Sequence, residues 1–218
     1  MDKQNPKNSR KRLSYSICVS GAAYGPTVME SSQLAYKLGE TVAKLGETLT
    51  TGATVGLPYY AARGASDAGG MSIGFSPAVS LREHLRKYRL PFDCYDFINF
   101  TGMHYTGRDL YLVQSSDAVI TVGGRFGSLH EFTSALEYGK FCGVLTGSGG
   151  AADHILELVK TLDPAKHSLV VYSSDPVELV KLVTAKLDEK YADIHEQIEK
   201  YEEYWFLNNK DSKPFRSG

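Results

Sequence analysis

The chain has 218 residues, 42% of them apolar and 22% charged, enough for one sizeable core and too little for two. A formal net charge of -1 leaves no global basic field to draw the protein onto nucleic acid or an anionic membrane, so neither is expected as a partner. Three cysteines, Cys18, Cys94 and Cys142, are odd in number and set in apolar runs. They read as buried free thiols of a reducing, cytoplasmic compartment, against a disulfide framework or a metal site.

In chain order, residues 1–13 are polar and basic and read as a disordered leader, with no apolar stretch of signal-peptide or membrane-spanning length after them. Residues 14–207 read as a single domain and 208–218 as a loose polar tail. Within the domain, runs rich in β-branched and aromatic residues recur at 15–21, 47–52, 71–77, 92–100, 117–124, 140–147 and 167–173. Helical patterns separate them. Leu34, Leu38, Val42 and Leu45 repeat at helical spacing in 27–46, and Ile155, Leu158 and Val159 do so in 151–162. A last helical pattern opens at SSDPVE and runs from 175 to about 206. Seven strands alternating with helices predict an α/β fold: a doubly wound, mainly parallel, Rossmann-like sheet with helices on both faces.

Ligands of such sheets bind at the carboxyl ends of the strands, so the turns there carry the chemistry. The first is Gly21-Ala22-Ala23-Tyr24-Gly25-Pro26, which lacks the spacing of a dinucleotide-binding turn, and the second strand ends in Thr51-Gly52 without a ribose-binding acid. That argues against a nicotinamide or flavin enzyme. Gly21, Ala22, Gly52 and Thr54 are still small enough for backbone to approach a nucleotide, although tight helix packing explains them equally well. The fifth run ends in Gly123-Gly124-Arg125-Phe126-Gly127-Ser128. Ser128 and Glu131 have the spacing of a capping box, which explains both without a ligand. Three glycines in that turn also expose amides at the positive end of a helix, which suits a phosphate. One connection earlier, Met103, His104, Arg108 and Asp109 fall between a strand and the next helix, where adjacent strand ends would bring Arg108 toward Glu131. His104 and His130 read as solvated or structural.

These motifs resemble the LOG (Lonely Guy) family, proteins also labelled possible lysine decarboxylases, over about Tyr15 to Leu162. That family carries a P-G-G-x-G-T-x-x-E loop and an upstream M-H-x-R-K segment. The resemblance implies hydrolysis of the bond between base and ribose in a purine nucleoside 5'-monophosphate, adenine or N6-modified adenine, with no cofactor and with a homodimer. By the same resemblance, Gly123, Gly124, Gly127 and Ser128 would receive the phosphate, and Glu131 and Arg108 would be catalytic, while Arg125, peculiar to this longer loop, would add a phosphate contact. The departures are Val122 for the proline, one extra residue in Arg125-Phe126, Ser128 for threonine, Asp109 for lysine, and Met103-His104 two residues too far from Arg108. They keep a non-catalytic nucleotide-binding or carrier module in play. Pyridoxal-phosphate lysine decarboxylation is set aside, because no lysine has a persuasive cofactor setting.

Chemically, base departure builds positive charge on the sugar, which a carboxylate beneath it stabilises while orienting water. Glu131 is that candidate, and Arg108 would keep it ionised. The base needs an aromatic face, for which Tyr24, Tyr59 and Phe75 are available. No second acid is obviously placed, although His130, Asp109 and Asp117 lie near in sequence. Tyr201, Tyr204, Trp205, Phe206 and Leu207 supply aromatic surface for the core or for a second subunit.

Overall fold

In a computed structural model, residues 14–196 are described, and Ser14–Leu187 form one compact unit. Seven strands are present: β1 (Ser16–Gly21), β2 (Thr48–Thr51), β3 (Ser72–Ser76), β4 (Phe97–Phe100), β5 (Ala118–Val122), β6 (Phe141–Leu145) and β7 (Val170–Ser173). All pairings are parallel, in the order β4-β3-β2-β1-β5-β6-β7. The helices are α1 (Pro26–Lys44), α2 (Leu57–Asp67), α3 (Leu81–Arg86), α4 (His104–Gln114), α5 (Phe126–Glu137), α6 (Ala152–Leu162) and α7 (Pro176–Lys190). The expected α/β sheet with helices on both faces is therefore present. Strand order reverses between β1 and β5, which registers Ser20 beside Thr121 and Gly21 beside Val122. A doubly wound sheet opens its ligand crevice at such a reversal.

The central strands are buried on both faces, so their side chains alternate between two apolar layers rather than between core and water. Cys18, Val119, Cys142 and Val144 meet Leu112, Phe132, Ala135 and Ile155 in one core cluster. Gly143 lies under Val183 and Leu179 of α7 on the opposite face, beside Ile120. Cys18, Cys94 and Cys142 are free and buried, as their apolar settings predict. No described helix is long and apolar enough to cross a membrane.

Three element expectations are corrected. The run 92–100 becomes strand only at Phe97, since residues 93–94 form a turn. The run 167–173 begins with a short 3-10 turn, Pro164–Leu169, before β7. The 175–206 helix is interrupted after Lys190, and its continuation beyond 196, like residues 1–13 and the cluster Tyr201 to Leu207, lies outside the described residues.

On α1 and α2, small residues permit an unusually close helix crossing. A methyl built at Gly39 would sit 1.8 Å from the Ala61 carbonyl oxygen, and one at Gly64 would sit 2.0 Å from that of Tyr36. The contact is backbone on backbone, so no side chain can move aside. Gly39→Ala is expected to destabilise the protein by roughly 1–3 kcal/mol despite the better helix propensity of alanine. A thermal melt several degrees below wild type is the expected reading, and an unchanged or raised Tm would refute the crossing.

Candidate functional site

At the β1/β5 reversal the strand ends open into a cleft of about 360 Å³. Its walls come from Ser20–Tyr24 at the end of β1 and just beyond it, Gly52 and Thr54 after β2, Pro58 of α2, Tyr105, Arg108 and Asp109 of α4, and Arg125–Ser128 with Glu131 around α5. Thus Gly21, Ala22, Gly52, Thr54, Arg108, Arg125, Gly127, Ser128 and Glu131 are brought to one place. Gly123 and Gly124 stand apart. The Gly123 N–H is donated to Ser148 Oγ at 2.8 Å, and the carbonyls of Gly123 and Gly124 accept from the N–H groups of Ala152 and Ala151. With φ of 55° and 101°, these two glycines make the turn that ties β5 to the start of α6. Only the Arg125–Ser128 part of the loop faces the cleft.

The capping-box reading of Ser128 and Glu131 does not hold. Helix α5 starts at Phe126, with Arg125 as its cap and no side-chain capping bond, so Ser128 and Glu131 both lie inside the helix. Glu131 turns instead toward the sheet, where Ser20 Oγ donates to its Oε2. Arg108 and Asp109 are likewise corrected: α4 begins at His104, so both sit in its second turn rather than before it.

Arg108 is 4% exposed and runs under the end of β2. A methyl on Gly52 would lie 1.8 Å from its Nη1, so the bare backbone of Gly52 makes the slot through which the guanidinium passes. Arg108 Nη1 is 3.9 Å from Glu131 Oε1, and its Nε is 3.4 Å from Asp109 Oδ1. Neither contact makes a hydrogen bond, and both donors are buried without a protein partner. An enclosed donor left unmade costs about 1–3 kcal/mol, so a guanidinium held this way is set for an acceptor from outside the chain.

Burial pushes the Glu131 carboxyl up to about 7; Arg108 and Ser20 pull it down, and Asp109 pushes it further up. Around the mouth, Tyr24, Tyr105 and Phe126 present aromatic faces, with Tyr24 65% and Phe126 88% exposed. Of the three aromatics expected from sequence, only Tyr24 lines the cleft: Phe75 is in the core and Tyr59 is hydrogen-bonded to Asp93. Ser20, Asp109, Tyr105 and Phe126 went unassigned in the sequence because no spacing rule marks them. The adjacency of Asp109 to Arg108 and of Phe126 to the loop glycines was the available signal.

Helix ends add a field of one sign. The four helices whose starts border the cleft, α1, α2, α4 and α5, have no acid in the first turn and no side-chain cap. By contrast α3, α6 and α7 carry Glu83, Asp153 and Glu178 there. Four uncompensated positive helix ends favour an anion in the cleft.

Two predictions follow from this geometry. Gly52→Ala should displace Arg108 and weaken binding of phosphate-bearing ligands at least tenfold by calorimetry; unchanged affinity would mean the slot does not matter. For Glu131, the ordinary carboxyl value is 4.5 and the folded value about 7. Between them the folded chain binds more protons, so its stability falls as pH rises through that window. Glu131→Gln should match wild type near pH 5 and be more stable by roughly 1–3 kcal/mol at pH 8, read by chemical denaturation.

An uncharacterized protein of Archaeoglobus fulgidus is 35% identical over 111 residues, covering 51% of this chain and 68% of its own. Among solved structures, the molybdenum cofactor binding protein of the phototrophic bacterium Rippkaea orientalis is similar at TM-score 0.65 and 28% identity, covering 80% of this chain and 98% of its own. The molybdenum cofactor carrier protein of Chlamydomonas reinhardtii gives 0.65 and 27% over the same shares. Residues 14–180, from the first strand into the last helix, match the model of the SLOG cluster4 family, and the chain belongs to that family.

Proposed function

We propose that the cleft binds a purine nucleoside 5'-monophosphate and hydrolyses its N-glycosidic bond to free base and ribose 5-phosphate. The observation that carries this reading is the enclosed Arg108, with two unpartnered donors, beside a Glu131 carboxyl that burial pushes up to about 7. A protein that only carries an anion has no use for an acid held in an ionisation-resistant pocket at a cost in stability. An enzyme that must move protons at neutral pH does.

In this reading the phosphate lies on the Gly127 and Ser128 amides at the start of α5, with Arg125 as a further contact. The base stacks within the Tyr24, Tyr105 and Phe126 rim. Ribose lies over Glu131, whose carboxylate stabilises the positive charge that builds on the sugar and takes a proton from the attacking water. Arg108 offers its free N–H groups to sugar or phosphate oxygens and holds the carboxylate ionised at the moment of attack. A homodimer working in the cytoplasm belongs to the same reading.

A second reading has its own support. Two molybdenum cofactor proteins resemble this chain over nearly their full length, and the loop carries an extra residue at Arg125-Phe126. A carrier of a phosphorylated heterocycle would use the same helix ends and the same arginine without chemistry.

Incubation with AMP and other purine 5'-monophosphates separates the two. Hydrolysis should release free base, with kcat lowered about 10²-fold or more in Glu131→Gln. Tight binding without turnover, undiminished in that variant, would select the carrier. No base released from any purine monophosphate tested would end the hydrolase reading.

A further inference from the structure

We propose that the nucleotide held in the cleft carries a second group on its phosphate, a flat uncharged ring joined as a phosphodiester, and that this ring lies in a separate apolar cavity sharing Arg125 and Phe126 with the cleft. The proposal rests on the reading above for where the phosphate lies, and not for whether the glycosidic bond is cut.

The cavity lies between the starts of α5 and α6 and measures about 300 Å³. Arg125, Phe126 and Leu129 line it on one side, and Ala151, His154 and Leu158 on the other. Arg125 and Phe126 also line the cleft, so the two spaces meet at these residues. They are the residues by which this loop is one longer than the LOG pattern. Tyr24 and Tyr105, which stand around the base in the reading above, line the cleft alone. The way from one space to the other therefore leads past Arg125, the phosphate contact, rather than past the tyrosines.

The lining sets the chemistry of the group. Phe126, Leu129, Ala151 and Leu158 offer apolar surface, and none of the lining residues is acidic. Phe126 is a large aromatic face left in water, which a stacked ring would cover. A second phosphate has no seat here. The amides ahead of α6 are already taken, since Asp153 in the first turn of that helix accepts from the Gly147 N–H at 2.7 Å and the Gly149 N–H at 3.1 Å. Arg125 is the cation common to both spaces, and a phosphodiester sets one negative charge against it. The volume, at the lower end of the range for small-ligand sites, suits one ring system rather than a second nucleotide.

Calorimetry on the whole protein with the methyl and phenyl esters of AMP tests the cavity, because the two carry the same charge and differ in the ring. The phenyl ester should bind at least tenfold more tightly than the methyl ester. Leu158→Gln, which puts an amide into the apolar lining, should bring that ratio near one, with a melting curve confirming that the variant folds. Equal affinities in wild type, or no binding of either ester, overturn the proposal without any variant. A ratio that persists unchanged in folded Leu158→Gln overturns it too. So does a gain for N6-benzyl AMP over AMP that Leu158→Gln abolishes, which would put the second group on the base. Preference for the phenyl ester with no base released from AMP or either ester refutes the hydrolase reading and leaves the proposal standing. Base release with no preference between the esters refutes the proposal alone.

Discussion

A guanidinium kept dry and incompletely bonded is the constraint around which the rest of this molecule is arranged. Arg108 reaches the strand ends only because Gly52 has no side chain, and the carboxylates of Glu131 and Asp109 stand beside its charge. Each partner depends on a different element. Gly52 closes β2, Asp109 shares α4 with the arginine, and Glu131 comes from α5 across the reversal of strand order. The sheet order is thus what brings the charges together, since β1 must pair with β5 for Ser20 to reach Glu131.

Polar groups are concentrated at that point against the interest of stability. Buried donors without acceptors and a carboxyl that resists ionisation are both unfavourable, and they coincide with the starts of four helices left without acidic compensation. Elsewhere the same chain follows ordinary practice: Ser80 caps α3, Asp175 bonds the Glu178 amide at the start of α7, and the cores on both sheet faces are apolar. Local rules broken together at one crevice are what a site for binding or chemistry would require.

Much of the fold was legible because parallel strands buried on both faces leave continuous β-branched runs that few other structures produce. All seven runs became strands, and the Pro176 start of the last helix was located from its capping sequence. Local spacing misled where two structures share one pattern. Ser128 and Glu131 satisfy a capping box, but Arg125 opens the helix three residues earlier, so the pair falls inside it and Glu131 is free to face the sheet. Arg108 was misplaced for the same reason, since glycine and histidine at 102–104 resemble a loop while His104, at φ of 54°, already starts α4.

The sequence by itself determined the elements and their alternation, because periodicity and turn chemistry are local and the interior is apolar enough to enforce them. It also named most of the residues that meet in the cleft, because ligands of a doubly wound sheet bind at the strand ends, where those residues lie. Tertiary structure alone decided how they meet. The slot at Gly52, the diversion of Gly123 and Gly124 to α6, and the meeting of Arg108 with Glu131 all join residues distant in the chain. Such contacts depend on strand order and on side-chain direction in three dimensions, and no spacing along the chain encodes them.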